Sequence, residues 1–365
     1  MKSVLTASPL VSVIIPAYNA EAFIQRTLTS VLSQTYKNLE VLVIDDGSTD
    51  RTVEIVQAMA EGDRRIHLLQ QPNSGVAAAR NLGIKHAKGE FVAPLDADDI
   101  WYPQNIEKQV QCFLTSDETV GLVYSWSVDI DEKDVPTGEF RAANIGGYIY
   151  KALICHNFLG NASASLVRRT CLEKVGYYNQ ELRKQGAEGC EDWDLYLRIA
   201  EYYQFRAIPE FLIGYRKISS SMSGNFKKMA RSHALMLQTV QNKHPEMPTL
   251  LYRLSSSSFY MYLARQSSQY GNDCGTLFWL VQALKADYIT PLIRYGLYML
   301  SLKSLLRLSI RSMKSIFSLN SPDQIYRRSG QSPHLISIAE LQSRHFSIKF
   351  KLFAGHVLHR LLLAI

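Results

Sequence analysis

The feature that most limits what this chain can fold into is an alternation. Three times before residue 90, a short apolar run gives way to a stretch with helical spacing. Residues 11–15 (Val-Ser-Val-Ile-Ile) are β-branched and show no polar face, as expected of a strand covered on both sides. Residues 39–44 and 66–69 are the next two runs. Helices are expected over 20–34, with Phe23, Leu28, Val31 and Leu32 as the buried stripe and Asn19 as N-cap, and from Ser48 or Thr49 to about Ala60. A third is expected over 76–87, carrying Arg80 and Asn81. Strands and helices in strict alternation fold as a parallel sheet wrapped by helices.

A fourth apolar run, 91–95, follows a Gly-Glu turn and ends in three carboxylates, Asp96, Asp98 and Asp99. Acidic groups crowded at the carboxyl end of a buried strand repel one another, and a cation or hydrogen-bonding ligand offsets the cost. Hard oxygen donors suit Mg²⁺ or Mn²⁺, ions commonly shared with a substrate phosphate. The second run likewise ends in Asp45-Asp46-Gly47-Ser48-Thr49-Asp50. In open α/β sheets, ligands sit beyond the carboxyl ends of the strands. Asp46 and the Asp96/Asp98 pair are therefore expected to face one crevice, with Arg80 in reach. Neither the dinucleotide-binding glycine pattern nor the P-loop pattern is present. A second acidic pair, Glu191-Asp192, opens a strongly patterned helix, with Trp193 and Leu197 on its buried face. Asp192 has the charge a general base requires.

The middle of the chain reads as a helix over 103–114, a strand over 120–126, a polar surface loop over 129–138, a strand over 162–168, a loop over 182–189 and two short strands over 205–215. From Phe226 onward the strands stop, and helices are expected at 226–243, 248–270, 276–286 and 291–319.

The quoted stretches, taken in order, are Val-Ile-Ile-Pro-Ala-Tyr-Asn (13–19), Val-Ile-Asp-Asp-Gly-Ser-Thr-Asp (43–50), Asn-Ser-Gly with Arg-Asn-x-Gly (73–83), Leu-Asp-Ala-Asp-Asp (95–99) and Glu-Asp-Trp (191–193). Together they resemble the family 2 glycosyltransferases of GT-A fold, over about Leu10 to Ser223. The resemblance implies an α/β nucleotide-diphospho-sugar transferase fold, residues 1–225 as catalytic domain, and 226–365 as a helical region with a basic tail. It implies a nucleoside-diphosphate sugar donor, with uridine or thymidine favoured, and an inverting transfer to a glycan or lipid-linked hydroxyl in cell-surface polysaccharide synthesis. Carried over residue by residue, it puts Pro16 and Tyr18 in the nucleoside pocket and Asp46 on base or ribose. Arg80 would help hold the nucleotide, and Asp96 would contact the ribose or sugar side. Asp98 becomes the main ligand of Mn²⁺ or Mg²⁺, with Asp99 assisting. Asp192 becomes the base, with Glu191 and Trp193 positioning the acceptor. Acceptor choice is expected to rest on about Tyr148 to Gly189. Many relatives carry Tyr-Arg-x-His after the last core strand. Here Tyr215-Arg-Lys-Ile218 lacks the His, leaving Lys217 or Arg216 for the phosphates. Ser221 and Ser223 keep the family's loop character, and that loop is expected to order on donor binding. Two other readings use the same residues: a nucleotidyltransferase making sugar nucleotides, and a non-catalytic sugar-nucleotide-binding protein. The first would need a Gly- and Lys/Arg-rich loop where Pro16 to Asn19 stands, and the second has no use for Asp192.

The chain's 365 residues, 47% hydrophobic and 20% charged, describe a globular protein of about two domains. The net charge of +7 is uneven. From Pro291 onward eleven Lys and Arg face only Asp323 and Glu340, a net +9, which leaves −2 for the rest. Lys303, Arg307, Arg311 and Lys314 share a helical face flanked by Leu302, Leu305, Leu306 and Ile310, and residues 346–365 are again apolar and basic. Such a face suits an anionic membrane surface, whereas no nucleic-acid-binding module is present. The odd, scattered set of five cysteines fits reduced thiols in the cytoplasm. Pro9, Pro16 and Asn19 interrupt what otherwise resembles a secretory leader, and no run long enough to span a membrane is present. A cytoplasmic protein, peripheral at the inner face of the membrane, is the expectation.

Overall fold

The computed structural model describes residues 8–217 and 224–316, apart from the side chains of 312–316. Ile218, Ser221, Ser223 and the tail segment 346–365 lie outside the described residues. Nine strands pair among those described: β1 (Val11–Ala17), β2 (Leu39–Asp45), β3 (Ile66–Gln70), β4 (Phe91–Pro94), β5 (Ile100–Trp101), β6 (Val120–Ile130), β7 (Pro136–Arg141), β8 (Ser165–Arg168) and β9 (Gln204–Arg216). The helices flanking the sheet are α1 (Ile24–Leu32), α2 (Thr52–Gly62), α3 (Val76–His86), α4 (Asn105–Leu114), α5 (Tyr150–Cys155), α6 (Arg169–Val175), α7 (Glu181–Lys184) and α8 (Glu191–Ala200). After them come α9 (Phe226–Lys243), α10 (Thr249–Gln269), α11 (Asp273–Ala286), α12 (Ile289–Leu292) and α13 (Tyr295–Ile316).

The sheet order is β3-β2-β1-β4-β8-β6-β9-β5, with β7 on β6. Its first four strands are parallel, and Val11 is in register with both Leu39 and Phe91. The carboxyl ends of β1, β2 and β4 therefore emerge side by side at one edge. Both faces are covered, as the runs without a polar face predict. Val13, Ile15, Val41 and Val43 enter one apolar cluster with α1 and α4, while Ile14, Leu42 and Ile44 enter the other. That second cluster continues through Trp193 and Leu197 of α8 to Met236, Phe259 and Leu280 of the later helices. Burial of each such side chain contributes about 1.5–3 kcal/mol.

Local details depart from the sequence reading where tertiary contacts intervene. Asn19 does not cap α1, which begins four residues after the loop. Its φ is +48°, and its side-chain oxygen accepts from the Thr49 amide at 2.8 Å, stitching the loop after β1 to the loop after β2. Asp50, rather than Ser48 or Thr49, serves the start of α2, accepting from the Thr52 amide at 3.0 Å. Residues 129–138 are largely a hairpin of β6 and β7 rather than a surface loop, and 204–216 is one strand rather than two. The 182–189 segment contains α7, and β8 runs antiparallel to β4 and β6. Gly47 adopts φ +79°, and a side chain there would meet the Asn73 backbone at 3.0 Å, so the turn after Asp46 depends on glycine.

Candidate active site

Pro16 lies within β1, opposite Ile44, and Tyr18 follows with about half its surface exposed. Both border the edge where the acidic strand ends emerge. Asp46 is buried, and its carboxylate is occupied: Oδ1 accepts from Gln71 Nε2 and the Ser74 amide, both at 2.7 Å, and Oδ2 accepts from the Gly75 amide at 2.8 Å. It fixes the turn ahead of α3. The nucleoside contact expected of it would have to share these bonds.

Arg80 joins two parts of the site. Its side chain is 3% exposed; Nη2 donates to Asp96 Oδ1 at 2.5 Å and Nη1 to Asp192 Oδ1 at 2.6 Å. The guanidinium also stacks on the Tyr178 ring, 5.0 Å from its centroid. The contact with a nucleotide expected of Arg80 would have to share this bridge. A residue two positions from Asp98 and the candidate base are held within the span of one guanidinium group. The two acidic motifs share one site.

Asp98 and Asp99 face different surroundings. Asp99 is fully buried; Oδ2 accepts from Ser163 Oγ at 2.5 Å and Oδ1 from the Arg216 amide at 2.8 Å. Burial, with Asp98 and Asp96 alongside, holds its carboxyl well above the usual range. Both Asp99 oxygens are engaged in bracing the loop, and the assisting role expected of it at a metal would have to share those bonds. Asp98 is partly exposed, and among the described residues no other side chain donates to its carboxylate. Burial and the neighbouring Asp96 push it up to about 6. A divalent cation held by Asp98 would relieve that repulsion. Among the described residues no three His, Cys, Asp or Glu side chains converge as a closed metal cage. This donor set fits an ion bound through one or two carboxylates and completed by a ligand's phosphates.

Asp192 sits in the first turn of α8, its side chain 21% exposed. Burial pushes its carboxyl up to about 7, opposed by Arg80 and reinforced by Glu191 and Asp96. Glu191 is buried and accepts from the Gly189 amide at 2.7 Å, so it ties the preceding loop to the helix. Trp193 is buried, donating to the Leu153 carbonyl at 2.8 Å. A base must be ionised to act, so activity should rise with pH through about 7, falling about tenfold per unit below it. A rate profile measured between pH 5.5 and 8.5 checks this; a flat profile would contradict it.

Three contributors add to or differ from the sequence reading. Ser163 joins Asp96 to Asp99, accepting from the Asp96 amide at 3.1 Å while donating to Asp99. Arg216 is fully buried, donating to the Asp98 carbonyl at 2.6 Å and pairing with Asp134. This consumes one of the two cations expected near phosphates and leaves Lys217, whose ammonium lies 4.7 Å from the Tyr215 ring centroid. Burial, then Arg141, lowers Lys217 to about 8. The third is a cleft of about 1040 Å³, lined by Asp192, Lys217, the β6–β7 hairpin, the loop after α5 and one face of α10. A Ser hydroxyl or a helix surface is common in any sequence, and only the fold shows which ones meet the site.

Residues 12–176 match the model of glycosyl transferase family 2. A hyaluronan synthase of Pasteurella multocida is 28% identical over 64% of this chain, which spans only 23% of that protein's length. An uncharacterised glycosyltransferase of Methanocaldococcus jannaschii is 31% identical over 57% of this chain and 71% of its own length. In fold, the chain is similar to a mannosyltransferase of Pyrobaculum calidifontis, solved with GDP-Man and Mn²⁺, at TM-score 0.51 and 21% identity, covering 85% of this chain and 84% of that one. With its strand-edge carboxylates, its α/β sheet of GT-A fold and its Glu-Asp-Trp helix in place, the chain belongs to glycosyl transferase family 2.

Proposed function

We propose that this enzyme transfers a sugar, with inversion, from a nucleoside-diphosphate donor to a hydroxyl of a glycan or lipid-linked acceptor in cell-surface polysaccharide synthesis. The observation that carries this reading is the Asp96–Arg80–Asp192 bridge, which sets a candidate base beside the strand-edge carboxylates and at the margin of a large cleft. Pro16 and Tyr18 border the nucleoside, and Asp46 holds the turn beside them. Asp98 would hold Mn²⁺ or Mg²⁺, which when bound neutralises the diphosphate. Lys217 adds positive charge for the departing phosphates, a preorganised electrostatic role that commonly dominates catalysis. Asp192 takes the proton from the acceptor hydroxyl, and Arg80 fixes the orientation of its carboxylate. Residues 1–225 carry these groups, and a second, helical part begins at Phe226. A donor panel including UDP-GlcNAc and GDP-Man, assayed for nucleoside diphosphate release, tests the reading. Turnover should fall at least 10²-fold in EDTA and return with Mn²⁺; turnover indifferent to EDTA, or no donor cleaved, would contradict it.

The same proposal places the protein on the cytoplasmic face of an anionic membrane through α13. Among the described residues no helix is long and apolar enough to cross a membrane. Leu302, Leu305, Leu306 and Ile310 are each about half exposed on α13, beside the exposed Lys303. Arg307 and Arg311 lie 3.7 and 3.1 Å from the buried Asp273 carboxylate, so part of the charge of the basic stripe expected to face lipid is paired, although both side chains stay exposed. Apolar insertion then outweighs charge. Co-sedimentation with phosphatidylglycerol vesicles should be lost in a Leu305→Glu, Leu306→Glu double variant and weakened only modestly by salt. Unchanged sedimentation in that variant would contradict the placement.

A further inference from the structure

Of the residues given to the donor and its transfer, Asp192 and Lys217 line the large cleft. None of Pro16, Tyr18, Asp46, Asp96 and Asp98 lines it. If the strand edge takes the donor, the cleft is where the acceptor enters. Its far wall is α10, beyond the region from Tyr148 to Gly189 to which acceptor choice was ascribed. Phe259, Tyr262, Arg265, Gln266 and Gln269 line the cleft from this helix at spacings of three or four and neighbouring positions, which is one helical face.

The chemistry of the lining narrows the ligand. Its prominent charges are largely cancelled internally: Arg265 pairs with Glu139 and Arg141 with Asp129, each at 2.5 Å. The Arg265–Glu139 pair also ties α10 to β7 at the rim of the cleft. Arg141 is further engaged by the Tyr215 ring, 4.9 Å from its centroid. Apart from Lys217 and Asp192, which the transfer uses, and Asp131, whose carboxylate accepts from the Lys133 and Val135 amides, what remains for a ligand is largely aromatic surface and amides. Among the described residues the side chains of Gln266 and Gln269 have no protein partner. Aromatic faces with side-chain amides that both donate and accept suit the alternating apolar faces and hydroxyls of an uncharged sugar. At about 1040 Å³ the cleft reaches the top of the range of about 300–1,000 Å³ that encloses a drug-sized ligand, so it has room for more than one sugar unit.

We infer that the α10 face is the acceptor subsite and that it takes a neutral oligosaccharide, with Tyr262 and Gln266 as specificity-determining residues. This rests on the glycosyltransferase reading of the strand edge. The test uses the full chain and an array of short oligosaccharides, some neutral and some bearing uronates, with binding followed by saturation-transfer NMR. Thermal shifts with UDP and GDP serve as a separate readout of the nucleotide side. Wild type should bind neutral members, and Tyr262→Ala and Gln266→Ala should each weaken that binding about tenfold, about 1.4 kcal/mol, with the nucleotide shift retained. Tyr262→Phe, which keeps the ring, should bind within about twofold of wild type. Should either alanine variant fail to fold, Gln269→Ala on the exposed part of the face must show the same loss. Unchanged oligosaccharide affinity with the nucleotide shift retained would overturn the inference. So would binding confined to uronate-bearing members, or to none. A wild type that neither shifts with any nucleotide nor cleaves any donor would instead sink the reading on which it rests.

Discussion

Asp192→Asn should lower sugar transfer by about 10²–10⁴-fold, the usual contribution of a positioned general base. The substitution is nearly isosteric. Its amide oxygen can still accept from Arg80 Nη1, the bond now measured at 2.6 Å. Asp192 belongs to the helix that also carries the buried Trp193, and nothing in that packing depends on the carboxylate charge. The loss should therefore fall on kcat, with nucleotide thermal shift unchanged. The carboxylate that burial pushes up to about 7 also disappears, and with it the rise of activity through neutral pH. A variant within tenfold of wild type, or one that keeps the same pH dependence, would show that some other group accepts the proton. Rates measured across pH for both proteins decide this.

Arg80→Met should be the most damaging change outside the reacting groups. It removes the shared partner of Asp96 and Asp192 and leaves two carboxylates facing each other in a largely desolvated site. Removing one partner from a buried ion pair costs about 3–5 kcal/mol. The partners here are 28% and 21% exposed, which places the expected loss near the lower figure. Its sign with pH follows from the carboxylates. Without Arg80, Asp192 holds its proton in the folded state at pH values where the unfolded chain has released it. Folded protein then binds more protons, and stability falls as pH rises above about 4. The deficit in Tm should be larger at pH 8 than at pH 5. The base, relieved of the one group that lowers its pKa, should ionise later, moving the activity profile to higher pH. A variant with normal Tm at both pH values would show that the bridge does not hold the site together.

The sequence was most informative where local rules govern. The alternation of apolar runs and helices gave the parallel first half of the sheet, because a strand covered on both faces has no polar positions to confuse its period. The parallel order then brought Asp46, Asp96 and Asp98 to one edge with no further assumption. Reading failed where one residue's role is set by a distant one. Asp98 and Asp99 are chemically identical neighbours. Only the path from β4 into β5 turns Asp99 toward Ser163 and the Arg216 amide, which are remote in sequence. The bridge from Arg80 to Asp192 could not be read because it spans 112 positions. Asn19 looked like a cap because helix capping is local, and the competing bond to Thr49 is not. The α10 wall left little trace because that helix is buried at positions spread around its circumference, Leu251, Ser257, Phe259, Leu263 and Gln266 among them. A helix covered on several sides lacks the single apolar stripe from which an exposed, cleft-facing side can be inferred.

Anomalous diffraction from Mn²⁺ in crystals grown with a nucleoside diphosphate would test most directly whether the acidic strand edge and the Asp192 helix form one catalytic site. The expected result is an Mn²⁺ peak in contact with Asp98, its diphosphate ending beside Lys217 and Arg80 at the margin of the cleft that Asp192 lines. Mn²⁺ and nucleotide bound together elsewhere, with Asp98 bare and Asp192 out of reach of the phosphates, would contradict it.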